Sequence, residues 1–409
     1  MDVFKINKDG WDAVIIDEES TPPDLGEVKG IDQISWVERF NFPGEFTIIG
    51  NPSLLQETLP LGTYISHDMT DTIMVVENHV VDESEGETAK LTATGRTIDA
   101  SFMDNRVVLY NPDMVGEGID IWEEDGYPDF SIYPMQYQTG PLFTWGIVYN
   151  LLKDHLQTTV SGVEDIPNLY ITTFGLDPYG ETEFTRCTKR LSYLSDVVYE
   201  MLQSSDVGLK VCRPGPERLE IETDFIDNGG SFDPNDPENC LMFVVYRGED
   251  ISNTVTFDFN NGDLHKARYF WSIRDMKTGF YSGNQTHTFR YLGDATGSDL
   301  KAALVDANDY IPEVGATSSE IISVLNARGR DVTIPNGLPK KLIDVVISKN
   351  AEAKYQIDYK LGDIVNVFGN YGINQTMRVV EVATVQDVGI AATIPTLAPI
   401  FNDSPFSGG

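Results

Sequence analysis

LGTYISHDMTDTIMVVENHVV, residues 61–81, and LGDIVNVFGNYGINQTMRVVEVATV, residues 361–385, decide the fold of this 409-residue chain. Each opens a strand on Leu-Gly, passes a polar turn and returns through Val-Val-Glu. The first copy uses Leu61, Gly62, Val75, Val76 and Glu77; the second uses Leu361, Gly362, Asp363, Val379, Val380 and Glu381. Leu61 lies 14 positions before Val75, and Leu361 lies 18 before Val379, so the loops differ by four residues. Order, spacing and strand type agree together, which reads as a duplicated β-barrel module. A trimer of such chains would present six similar modules around a three-fold axis.

Around the first copy, QISWVERF (33–40), EFTIIG (45–50) and TAKLTATG (88–95) are β-branched or aromatic runs separated by turn residues. Short strands at such spacing suggest a small barrel or sandwich. Beyond residue 107 the period changes. WGIVYNLLKDHL (145–156) and RLSYLSDVVYEMLQSS (190–205) place apolar residues at helical spacing, which predicts helices packed on a sheet. LMFVVY (241–246), NTVTFDF and ARYFWSI return to strand character. Helices are predicted for SDLKAALVDANDYI, opening on Ser298, and for SSEIISVLNARG, capped at Ser319 and stopped at Gly329. The expected fold is mainly β with α+β insertions. Its divisions are a first barrel over 1–106, a peripheral α/β domain over 107–240, a second barrel over 241–292 and 338–392, a helical insertion over 293–337, and an extended C-terminal tail over 393–409.

The chain carries 29 basic and 64 acidic residues, a formal charge of −35. Acids scattered along the whole length repel nucleic acid and disfavour tight phosphate binding, which needs clustered Lys and Arg. An acidic wall past which DNA moves without sticking is compatible with that charge. The N-terminus lacks the basic start and apolar core of a signal peptide, no apolar run approaches a membrane span, and cytoplasmic synthesis is expected. Cys187, Cys212 and Cys240 are an odd number without CxxC spacing, which fits reduced, buried thiols.

SWVERFNFPGEFTIIG (35–50) and VVENHVVDESEGETAKLTATGRTIDASFMDNRVV (75–108) resemble the N-terminal hub module of siphophage tail-tip proteins, the minor tail proteins common in actinobacteriophages and related to the hub module of tail-associated lysins. The matching residues are Trp36, Arg39, Phe40, Gly44, Phe46, Glu77, Gly95, Arg96 and Arg106, and YQIDYKLGDIVNV (355–367) resembles the opening of that family's second barrel. The resemblance implies a trimeric structural hub built from two tube-forming β-barrels per chain, located at the virion tail tip and assembled in the host cytoplasm. It implies a distal tail protein ring, a tape-measure protein and other tail-tip or receptor-binding proteins as partners, with DNA passing transiently. No cofactor is implied.

Enzymatic readings find little footing. GxSxG, HExxH, GxxxxGK[ST] and GxGxxG are all missing, and His67, His79, His155, His265 and His287 stand in unrelated contexts, so no catalytic residue is assigned. Asp233, Asn235, Asp236 and Glu238 offer oxygen ligands suited to calcium, but without the EF-hand pattern the segment reads more simply as a solvated acidic loop. Trp122, Tyr127, Phe130, Tyr133 and Tyr137 read as interface anchors, with a receptor- or glycan-binding role as the alternative. TATGRTIDASFMDNRVV (92–108) reads as a joint: Gly95 makes a turn, a short helix with Ile98, Phe102 and Met103 packs back over the barrel, and Arg106 contacts carboxylates or helix carbonyls.

Overall fold

The computed structural model describes residues 1–7, 12–13, 26–70, 72–84, 88–108, 137–138, 143–157, 165–176, 188–189, 192–203, 205–213, 223, 240–274, 276–291, 297–307, 310, 312, 317–333, 340–348, 351–370, 373–387 and 390–400. The chain is mainly β. Its largest element is one sheet of thirteen strands that runs through both copies of the repeated module.

In the first module, β3 (Ile31–Arg39), β4 (Glu45–Gly50), β5 (Tyr64–His67), β6 (Met74–Asp82) and β7 (Lys90–Thr97) are arranged β3-β4-β7-β6-β5, each neighbour antiparallel. The alternating pattern of β3 and β4 points Ile34, Trp36, Phe46 and Ile48 inward, and these residues share a core with Ile65, Met74, Val76 and Leu91. In the second module, β16 (Leu264–Ser272), β20 (Lys340–Ile347), β21 (Ile364–Gly369), β22 (Ile373–Asp387) and β23 (Ile390–Pro399) are arranged β16-β20-β23-β22-β21, again antiparallel throughout. Chain order and spatial order therefore match strand for strand. β1 (Val3–Asn7) flanks β5, with β2 (Asp12–Ala13) beyond it, and β15 (Thr256–Asp258) flanks β21. Among the described strands the sheet stays open, ending on β16 and β2.

Pairing refines the repeat. Gly62 N–H donates to the Val76 carbonyl at 2.8 Å as Gly362 N–H donates to Val379, and Ile65 faces Met74 as Val365 faces Met377. In both copies the next residue forms a β-bulge, Glu77 in one and Val380 in the other. Val76 thus corresponds to Val379, one residue away from the Val-Val-Glu sequence match.

A second unit has a sheet of β10 (Leu169–Phe174), β14 (Leu241–Tyr246) and β13 (Gly208–Cys212), with β14 central and parallel to β10. All six residues of β14 are buried, because a central strand covered on both faces takes a continuous apolar run. Leu241–Tyr246, grouped by sequence with the second barrel, therefore sits in the α/β sheet. Helices α3 (Thr144–Leu152), which widens into a π-turn at Lys153–Gln157, and α4 (Leu194–Gln203) share its core. So does α2 (Ile98–Met103), through Ile98 and Met103, while Phe102 stacks on Phe243 at 6.2 Å. The short helix expected to fold back over the first module lies against β6 and β7 and also joins that module to the α/β unit.

A third unit pairs β17 (Gly279–Gly283) with β18 (Thr288–Tyr291) and β19 (Ala302–Asp306), backed by α5 (Ser318–Thr333). The helix expected from Ser298 is here the strand β19, whose alternation of buried Ala303 and exposed Leu304 follows period two once it lies beside β17. Thr317 rather than Ser319 caps α5: its N–H donates to Glu320 Oε2 at 2.7 Å, and Glu320 N–H returns to Thr317 Oγ1 at 3.4 Å. Gly329 does not stop the helix. The Phe280 ring fills its side-chain space, only 1.9 Å from where a Cβ would stand. Residues 393–399, expected in the tail, belong to β23; β20 pairs with it only at Leu397 and Thr396, so Pro395 and Pro399 break no ladder bond to β20. Residues 401–409 lie outside the described residues.

Gly95 makes no turn. It lies inside β7 between Phe46 and Val76, and a Cβ there would stand 1.7 Å from the Val75 carbonyl oxygen and 2.8 Å from the Phe46 ring. Gly95→Val is expected to destabilise the chain by about 3 kcal/mol or more, through overpacking beside a bulge that cannot move away. Denaturant unfolding checks this; wild-type stability in the variant would contradict it.

Candidate functional site at the three-way junction

The site assembled by these units is a joint. The second half of β22 lies antiparallel to β3, from Glu381 opposite Arg39 to Asp387 opposite Gln33, and so welds the two modules into one sheet. Arg39 anchors the weld: Nε donates to Glu381 Oε2 at 2.6 Å, Nη2 to Glu45 Oε1 at 2.6 Å and Nη1 to the Pro43 carbonyl at 2.9 Å. Burial lowers the Arg39 pKa, but the two carboxylates outweigh it and the guanidinium is held more firmly charged. Partial exposure of all three partners limits each pair to about 1 kcal/mol or less.

Glu77 plays the related part inside the first module. Arg96 grips it with two bonds, at 2.9 and 2.8 Å, and reaches Asp104 at the end of α2 at 2.7 Å. Glu77, foremost, raises the Arg96 pKa against the opposing effect of burial. This grip holds the bulge, the strand and the helix that leads into the α/β unit.

Phe40 follows β3 and is 1% exposed. Its N–H donates to the Val380 carbonyl at 2.9 Å, and its carbonyl accepts from Leu209 N–H at 3.1 Å, so one residue's backbone bonds both the second module and the α/β unit. Its ring meets Tyr246 edge-on at 5.3 Å and carries the Arg378 guanidinium 5.0 Å from its centroid. Gly208 and Gly362 give it room: a Cβ on either would stand 2.4 or 2.6 Å from the ring. At Gly362 the backbone also adopts φ +94°, which favours glycine.

The Leu-Gly-Asp turn of the second module closes around this ring. Tyr246 Oη donates to the Leu361 carbonyl at 3.0 Å and Arg378 Nη1 to the Gly362 carbonyl at 2.7 Å. Asp363 accepts from Glu249 N–H at 2.9 Å and from Lys360 N–H at 2.7 Å. Burial raises the Asp363 pKa and lowers that of Arg378. A cleft of about 550 Å³, counted to its open mouth, lies beside the junction and is lined by both modules and the α/β unit, including Gly44, Asp99, Lys210 and Tyr355. Tyr199 Oη donates to the buried Asp99 at 2.7 Å, and burial raises both pKa values.

Of the residues singled out by sequence, Phe40, Leu361, Gly362, Asp363 and Glu381 converge here. Trp36 and Phe46 lie in the first module's core, stacked at 5.9 Å, and Gly44 accommodates Thr97 across the sheet, its N–H donating to Thr97 Oγ1 at 3.1 Å. Glu77, Gly95 and Arg96 cluster at the first bulge. Arg106 stands apart, its carbonyl accepting from Leu194 N–H at 2.9 Å at the start of α4. Tyr246 and Arg378 escaped the sequence reading, and Gly208 reads there only as a glycine following the helix over 190–205. Arg378 carried a signal: it places a charge where the register puts Val75 in the first copy. The calcium candidates Asp233, Asn235, Asp236 and Glu238 and the aromatic cluster Trp122 to Phe130 lie outside the described residues, as do Tyr133 and Cys187. Among the described residues no group of three His, Cys, Asp or Glu side chains is placed to hold a metal ion.

No family model and no curated protein matches the sequence. Solved structures do match. The 43 kDa tail protein of prophage MuSo2 from Shewanella oneidensis superposes at a TM-score of 0.53 with 12% identity, covering 92% of this chain and 96% of the other. A tail protein from Neisseria meningitidis MC58 gives 0.52 at 11% identity over 91% and 93%. Prophage tail protein gp18 from Listeria monocytogenes EGD-e gives 0.50 at 12% identity over 98% and 96%. The chain has their fold. The likeness spans both modules and the units between them, so the whole architecture is shared rather than one module.

Phe40→Ala is expected to cost about 3–5 kcal/mol and to split thermal unfolding into more than one transition, because the ring ties three units together. A single transition with unchanged midpoint would contradict this. The second expectation concerns His67, which is 1% exposed and accepts Met69 N–H on Nδ1 at 3.1 Å. That bond needs the neutral ring, so the Asp68 carboxylate 3.9 Å away makes no ion pair with it. Burial, then the N-terminal charge and Arg213, push its pKa down to about 3, and burial pushes His155 down to about 4. Both gain protons on unfolding, so the stability they contribute is present above about pH 6.5 and is lost as pH falls toward 4. Between pH 7 and pH 5 wild type is expected to lose about 2 kcal/mol more than His67→Gln. Denaturant melts at both pH values check it, and equal losses would refute it.

Proposed function

We propose that this chain is a structural hub of a phage tail tip. In this reading three copies form a ring of six modules that joins the distal tail protein to the tip and forms or closes the channel through which the tape-measure protein and DNA leave. The observation that carries it is the strand-for-strand repeat welded into one sheet through β22 and β3, within a fold shared with three tail proteins, two of them from prophages, over more than nine-tenths of the chain. Two like modules per chain are what a three-fold ring needs to face a six-fold partner. The charge of −35 supports a channel wall to which DNA does not adhere. The reading is structural rather than enzymatic: the convergent residues at Phe40 hold modules together. A tail-tip position in the virion, after assembly in the host cytoplasm, belongs to the same proposal.

Purified chain, alone and mixed with its distal tail protein, is expected to give rings of three by native mass measurement and electron microscopy, and label on its C-terminus is expected at the tail tip of virions. A chain that stays monomeric and never joins that partner would overturn the reading.

A further inference from the structure

Among the described residues, the sheet of the third unit is covered on one side only. α5 packs on the side that holds Phe280 and Ser282, so Tyr281 between them points the other way. On that outer side the register sets Arg290 of β18, Tyr281 of β17 and Leu304 of β19 in one row. Leu304 is 87% exposed and Tyr281 37%, and Arg290 is exposed beside them. The adjoining row is Thr288, Gly283 and Asp306, with both side chains exposed.

We propose that this face is a binding site for an acidic saccharide. A protein partner would need roughly 800 Å² on its side, largely apolar at its centre, and one tyrosine with one leucine supplies a small part of that. A sugar ring needs less: one apolar face to lie against an aromatic, and polar partners around its rim. Tyr281 offers the aromatic face at low entropic cost, and Leu304 extends it. Gly283 puts no side chain on the neighbouring position of β17, so a ring laid against Tyr281 meets no obstruction there. The Thr288 hydroxyl and the Asp306 carboxylate stand at the rim, where they accept hydrogen bonds from sugar hydroxyls. Arg290, across β17 from Asp306, presents the planar fork that matches a carboxylate or phosphate.

Charge selects the same unit. Residues 273–339 hold 6 basic and 8 acidic residues, a net −2, within a chain whose total is −35. An anionic glycan is repelled by most of this molecule and least by the third unit, where an arginine meets it. The site goes beyond the hub reading and does not require the ring.

The test is binding of the full chain to a panel of acidic bacterial polysaccharides and their neutral counterparts, with polyphosphate as a polyanion that carries no sugar. Acidic saccharides are expected to bind at least about tenfold more tightly than neutral ones or polyphosphate. Tyr281→Ala is expected to weaken them about tenfold or more, and Tyr281→Phe to stay within about threefold of wild type. Arg290→Gln is expected to remove the preference for the acidic form while leaving neutral saccharides unchanged. All these positions are on the surface, so an unchanged thermal midpoint separates loss of binding from loss of fold. A panel from which nothing is retained would overturn the site, as would polyphosphate bound equally well or variants without effect. Co-purification of another tail protein that Tyr281→Ala abolishes, with no saccharide bound, would overturn it in favour of a protein partner. Rings formed by a chain that binds no saccharide would sink this site alone, and a saccharide-binding chain that never forms rings would sink the hub reading alone.

Discussion

The placement of Phe40 is the constraint on which the rest of the structure depends. A strand that ends one module must hand its backbone to two other units at once, and the ring at that point must be enclosed by all three. Gly208, Gly362 and the Tyr246 edge are shaped to that demand. Because a buried aromatic contributes through area and contact rather than through charge, the junction holds at any ionic strength. The ion pairs around it, Arg39 with Glu381 and Glu45, set register and direction more than they add energy. Apolar packing supplies the strength of the weld, and the guanidinium fixes which residue faces which.

The two Arg–Glu grips show how a repeated motif diverges without losing its purpose. Glu77 and Glu381 both face an arginine of a neighbouring strand, yet the first is the bulge residue and the second follows the bulge. One closes a strand pair inside a module, and the other closes the pair between modules. The same chemistry has moved by one residue along the strand as the partner strand changed.

Much of this was legible in the sequence, and the limits have physical causes. The duplicated hairpin could be read because Leu-Gly turns and β-branched runs carry their information locally. Its register could not, since a bulge shifts pairing by one residue without altering composition. Residues 302–306 carry apolar spacing compatible with either a helix or a strand, and only the neighbouring β17 decides between them. Leu241–Tyr246 looked like any apolar strand, and its sheet was set by the long-range partner Leu169–Phe174. In the sequence Gly95 and Gly329 read as punctuation; each instead clears space for a distant atom, the Val75 carbonyl or the Phe280 ring. At the junction, Phe40, Leu361 and Gly362 were singled out one by one, but their convergence depends on Tyr246 and Arg378, which lie far from Phe40 in the chain.

The third unit sits between β16 and β20, the place that in the first module is occupied only by residues 40–44. A hairpin turn at the rim of the sheet has thus been opened to admit residues 273–339 while the five-strand order on either side is kept. Loop-closure entropy rises only by about 0.6 kcal/mol for each doubling of length, so material threaded through a turn burdens the sheet little. That makes the turn a grafting point: the unit beyond it can be exchanged, enlarged or deleted over evolutionary time, or by design, while the repeated sheet keeps its geometry.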